Sequence, residues 1–108
     1  CDKELVDKAL HIHTGVRVVP GLICTGDRFI TARAELNEIK GNYPDGLAVD
    51  MESAAISQVC HLFGIPFVSF RIISDTPRAE AHFEQYLNFW DTMADKSFRV
   101  TQSFLNSL

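Results

Sequence analysis

Two periods alternate along the chain. Short runs that are apolar almost throughout give way to longer stretches in which apolar residues return every three or four positions. The first run is "VRVVPGLICTGD". Residues 16–19 and 21–24 read as one strand, with Pro20 marking a bend or an edge, and the run closes on Thr25-Gly26-Asp27. Residues 31–43 follow with a helical pattern that stops at the turn-dense "GNYPDG". A second strand over residues 47–49 closes on Asp50-Met51-Glu52. The helix after it, over residues 53–63, has the sharpest pattern. Ala55, Ile56, Val59, Cys60 and Phe63 form one apolar face, and Gly64 followed by Pro66 ends it. The third run, "IPFVSFRIISDTP" at 65–77, is rich in Val, Phe and Ile, which suits a strand covered on both faces. Helical patterns also occupy the opening "CDKELVDKALHIH" and residues 83–108, where Phe83, Leu87, Trp90, Ala94, Phe98 and Leu105 fall largely on one side.

Strands alternating with helices predict an α/β layer structure with parallel strands. In such a sheet, ligands bind beyond the carboxyl ends of the strands. All three predicted strands end in acids: Asp27, then Asp50 with Glu52, then Asp75. Capping of the following helices explains much of that pattern, and a shared pocket explains it equally well. The neighbours add chemistry. Phe29 and Ile30 offer an aromatic face beside exposed backbone, a seat for a planar base. Glu52 carries an acceptor pair suited to sugar hydroxyls. By strand alternation Arg71 shares a face with Ile73 and Asp75, and Asp75 can donate a proton where burial and nearby acids raise its pKa.

Composition narrows the field. The 108 residues make one small domain, and 46% hydrophobic content is that of a folded chain and not a disordered one. A net charge of −4 provides no basic face for a nucleic-acid backbone. No run reaches the length of a membrane span or has signal-peptide order, so neither a membrane nor a nucleic acid is expected as partner. Cys1, Cys24 and Cys60 form no CxxC pair, which points away from a disulfide framework or a zinc site and toward a reducing, cytoplasmic setting. His11-x-His13 lacks a third ligand at suitable spacing and reads as solvated or capping, so no metal is expected. The chain enters a helical pattern directly from Cys1, as expected of a piece of something longer.

At this point a resemblance carries further. "GLICTGDRFI" and "AVDMESAAISQVCHLFGIPFVSFRIISD", in that order, resemble the nucleoside phosphorylase/nucleosidase superfamily, most closely the 5′-methylthioadenosine/S-adenosylhomocysteine nucleosidases. The likeness runs from Asp2 to Leu108 and corresponds to the carboxyl-terminal half of such an enzyme. It implies a three-layer α/β/α fold, present here as a partial sheet with flanking helices, with residues 1–108 the carboxyl-terminal half of a single domain. It implies that Asp75 is the general acid that protonates the imidazole-ring nitrogen of adenine, and that Met51 and Glu52 hold the ribose. Phe29 then stacks on the base and the backbone of Ile30 reads its edge, while Arg71 and Ser74 support the acid and line the pocket. Phe83 falls near the alkylthio group. Asp50, where the family often has a glutamate, joins the substrate-binding set or caps the next helix. No cofactor is implied. The implied partners are thioether nucleosides, the amino-terminal half and, when complete, a second copy in a homodimer.

The implied reaction is hydrolysis of the N-glycosidic bond with release of adenine. It passes through a cation-like sugar, so protonating the leaving base and surrounding the ribose with negative charge both lower the barrier. The family's water-activating glutamate lies in the amino-terminal half, so this chain alone is expected to be inactive. Two rivals stay open. One is a purine nucleoside phosphorylase, although "GDRFI" departs from the aromatic pair usual there. The other is a non-catalytic nucleoside-binding fragment.

Overall fold

A computed structural model describes residues 1–73, 88 and 93–108. Its elements are α1 (Lys3–Leu10), β1 (Leu22–Thr25), α2 (Arg33–Asn42), β2 (Gly46–Asp50), α3 (Ser53–Leu62) and α4 (Ala94–Ser107). They fall into two compact units, one of Cys1–Asp2 with Gly21–Arg71, the other of Lys3–Pro20 with Ile72–Leu108.

The first unit is a β–α–β crossover followed by a helix. β1 and β2 pair in parallel, with Ile23 opposite Ala48, Cys24 opposite Val49 and Thr25 opposite Asp50. Parallel neighbours need a crossover, and α2 provides it. Lys40 Nζ holds the end of α2 against the turn by donating to the carbonyls of Pro44 at 2.8 Å and Gly46 at 2.9 Å. Gly46 has to be small, because a Cβ there would lie 2.8 Å from Cys24 Sγ and 3.1 Å from the Tyr43 carbonyl. The end of α3 is as the sequence predicts. Gly64 takes a φ of 66°, its N–H donates to His61 O at 3.2 Å, and the Ile65 N–H reaches Cys60 O at 2.8 Å. That paired closure satisfies two carbonyls that the helix would otherwise leave open.

In the second unit α1 and α4 pack together, burying Ala9, Val100 and Phe104. The His11 ring bonds through Nδ1 to the Asp7 carbonyl at 2.6 Å, closing the last turn of α1. Among the described residues, no helix is long and apolar enough to cross a membrane.

Three expectations about the elements need correction or fall outside view. The first strand begins at Leu22, and residues 16–19 carry no strand; proline has no N–H to donate, so a ladder does not run through Pro20. Of the third predicted strand, residues 65–73 join no ladder, residues 74–77 lie outside the described residues, and the sheet of the described residues has two strands. The segment is tied in by the Asp2 N–H, which donates to Phe67 O at 2.6 Å, and by the bond from Ile65 N–H to Cys60 O. Its polar side chains are engaged instead, as set out below. Of the long terminal pattern over 83–108, the described helix is Ala94–Ser107, and residues 83–87 and 89–92 lie outside the described residues. The apolar face of α3 is uncovered, with Ile56 52%, Val59 53% and Phe63 76% exposed. Two strands are too narrow to cover a helix that a wider sheet would bury. The parallel pair with flanking helices is nonetheless a partial α/β fold.

Candidate functional site

β1 and β2 end level with each other, so the parallel register sets Thr25 beside Asp50. Thr25 Oγ1 donates to Asp50 Oδ1 at 2.6 Å, and the Gly26 N–H donates to the Asp50 carbonyl at 3.1 Å. The other carboxylate oxygen, Oδ2, accepts from Ser53 Oγ, at the first turn of α3, and from Arg71 Nε at 2.5 Å. The Asp50 side chain is only 7% exposed, so its acceptor capacity is largely used by the protein. Burial raises the carboxyl pKa, but the bonds from Ser53, Thr25 and Arg71, with the guanidinium charge, outweigh it and hold Asp50 below the usual carboxylate range.

The hydroxyl bookkeeping around Ser53 can be completed. Ser53 has one proton, which it gives to Asp50. It must therefore accept from its other two neighbours, Arg71 Nη2 at 3.0 Å and Ser69 Oγ at 3.0 Å. Ser53 is the buried polar residue of this unit, and every lone pair and proton of its hydroxyl has a partner. Asp50 does not cap α3: the N-cap position is Glu52, and no side chain bonds to the first-turn backbone there.

Glu52 is placed quite differently. Its side chain is 65% exposed and its nearest cation among the described residues, Arg71 Nη2, is 3.5 Å away, too long for a strong bond. Among the described residues, that contact leaves most of its carboxylate's acceptor capacity unused. Met51 beside it is 40% exposed. A cleft of about 380 Å³ is lined by Thr25, Arg28, Ile30, Tyr43 and Asp50 among others. Phe29 is 73% exposed and stands in the loop that forms one wall of this cleft. The structure thus gathers Ile30, Asp50, Glu52 and Arg71 around one pair of strand ends, with Met51 and Phe29 adjoining them in the chain. Ser74, Asp75 and Phe83 lie outside the described residues.

Three members of the network were not singled out in the sequence. Thr25 becomes a partner of Asp50 only through the strand register, which is not local information. Ser53 stands three residues after Asp50, and Ser69 two before Arg71, so alternation would have set Ser69 and Arg71 on one face. Among the described residues, no group of three or more His, Cys, Asp or Glu is placed to hold a metal ion. Cys1, Cys24 and Cys60 are free thiols.

Several curated proteins are similar to this chain. The 5′-methylthioadenosine/S-adenosylhomocysteine nucleosidase of Actinobacillus succinogenes is 52% identical over 75 residues, covering 68% of this chain and 33% of the relative. The protein of the same name from Glaesserella parasuis is 40% identical over 93 residues, or 86% of this chain and 40% of the relative. That from Haemophilus ducreyi is 39% identical over 110 residues, or 98% and 46%. The chain thus spans between a third and about half the length of these curated relatives. The family model of the phosphorylase superfamily matches residues 1–106, nearly the whole chain, and the chain belongs to that superfamily.

Proposed function

We propose that the protein carrying this chain hydrolyses the N-glycosidic bond of 5′-methylthioadenosine and S-adenosylhomocysteine, releasing adenine. The observation that carries the reading is Glu52: an exposed carboxylate two residues past β2, whose last residue, Asp50, lines a cleft of about 380 Å³, in a chain 39% to 52% identical to nucleosidases. In this reading Glu52 accepts from the ribose hydroxyls, Phe29 and Ile30 receive the base, and Met51 packs against the sugar. Asp75 protonates adenine as it leaves, with Arg71 and Ser74 supporting it and Phe83 against the alkylthio group. Negative charge near the ribose then stabilises the cation-like sugar as the bond breaks.

We infer further that this chain is the carboxyl-terminal half of one domain. Support comes from the share of each relative that it spans. Its partner in that case is the amino-terminal half, which contributes the carboxylate that activates water, and the complete protein is a cytoplasmic homodimer acting in methionine salvage. Superfamily membership also favours a second reading, phosphorolysis. The test is adenine release from methylthioadenosine by the full-length protein, with and without phosphate. Release that is independent of phosphate supports hydrolysis. A strict phosphate requirement makes the protein a phosphorylase, and binding without turnover makes it a nucleoside-binding module.

A further inference from the structure

Glu52 can serve a sugar only while its carboxylate is not consumed by the nearest cation. Among the described residues that cation is Arg71. A guanidinium presents a planar fork that matches a carboxylate in a bidentate pair, and such pairs are the stronger charge-assisted kind. Here the fork is divided. Nε donates to Asp50 Oδ2 at 2.5 Å, Nη2 donates to Ser53 Oγ at 3.0 Å, and what remains for Glu52 is a contact of 3.5 Å. The two carboxylates are only two residues apart in the chain, yet one is 7% and the other 65% exposed. The buried acid takes the cation and the exposed acid keeps its acceptors.

We propose that Asp50 is a positioning residue: with Ser53 it withholds Arg71 from Glu52 and so keeps the Glu52 carboxylate available to the hydroxyls of a sugar. The anchor is itself anchored. Asp50 is fixed by Thr25 across the register, and Ser53 by Ser69. The lowered pKa of Asp50 agrees with this role, since the acid stays charged wherever Arg71 must be held. The identity of the ligand rests on the nucleosidase reading; the division of the guanidinium does not.

Three variants of the full-length protein test the idea: Asp50→Asn, Asp50→Glu and Asp50→Asn combined with Arg71→Met. An amide keeps the shape but loses the negative charge that holds the guanidinium, so Arg71 should swing onto Glu52. In a crystal structure of Asp50→Asn, the Arg71–Glu52 contact should shorten from 3.5 Å to about 2.8 Å. KM for methylthioadenosine should rise roughly tenfold or more, as expected when one carboxylate–hydroxyl bond is lost, while affinity for free adenine is kept. Asp50→Glu should recover much of the loss. Adding Arg71→Met to Asp50→Asn should not deepen the loss of nucleoside binding, because the competing cation is gone. Equal losses for nucleoside and adenine, or an unchanged Arg71–Glu52 separation, would overturn the proposal. Should Asp50→Asn fail to fold, Ser53→Ala removes the second anchor and should give the same shortening and the same nucleoside-selective loss. If the wild-type protein neither binds nor cleaves nucleosides, the nucleosidase reading falls, and the crystallographic distance alone still decides whether Asp50 holds Arg71 away.

Discussion

At the scale of single residues, the site divides its acids by burial. Glu52 faces outward with spare acceptors, so Glu52→Gln should weaken nucleosides far more than free adenine. A carboxylate–hydroxyl bond is worth roughly 1.5–3 kcal/mol, a loss of about ten- to a hundredfold. Titration calorimetry with both ligands checks this, and equal losses would remove Glu52 from the ribose. Asp50 instead carries a pH signature. Its folded pKa lies below the ordinary value of 3.8, so the unfolded chain binds the proton first as pH falls. The stabilising contribution is therefore complete above that value and is lost as pH drops through the lower, folded pKa. Urea unfolding of wild type and Asp50→Asn at a series of pH values should show a stability gap that is constant near neutrality and closes in acid. A gap that widens in acid would mean that the charge on Asp50 is not what stabilises the fold. Asp50 and Glu52 were both visible in the sequence as candidate site residues, but their opposite roles were not. What separates them is the register that brings Thr25 to Asp50 and the packing that brings Ser53 and Arg71.

At the scale of elements, the legible features were those encoded locally. The helix over Ser53–Leu62 and its stop were readable because a 3.6-residue apolar period meets Gly64 and Pro66. Gly64→Ala should cost roughly 1–2 kcal/mol in unfolding experiments, since an L residue at a φ of 66° crowds its Cβ against the backbone. A neutral result would mean that the closure of α3 is not held by that conformation. β2 was readable from its apolar run and the turn before it. The strand expected over 65–77 joins no ladder at residues 65–73, because membership of a sheet depends on a neighbour far away in sequence. Ile65 and Phe67 have strand-like composition, but composition does not supply a partner edge. The same limit explains the predicted strand before Pro20: the apolar pattern continues through residues 16–19, whereas the hydrogen-bonded ladder begins only at Leu22.

At the scale of the molecule, the uncovered apolar surface and the length of the relatives bear on the proposed second half. Ile56, Val59, Leu62 and Phe63 on or beside α3 remain largely exposed, as do Leu22 and Leu47 on the two strands, and such surface seeks cover. The relatives are two to three times as long as the stretch this chain matches. Phe63→Asp should therefore weaken association with a separately expressed amino-terminal half, measured by co-purification, while leaving the end of α3 solvated as it is now. Undiminished association would place the docking face elsewhere. The most direct measurement is adenine release from methylthioadenosine in phosphate-free buffer by three samples: this chain alone, this chain mixed with the amino-terminal half, and the same mixture carrying Asp75→Asn. The first should give no release, the second should give release, and the third should show a severe loss, because an amide cannot donate the proton the leaving base requires. Robust release by the purified chain alone, or undiminished release with Asp75→Asn, would contradict the proposal.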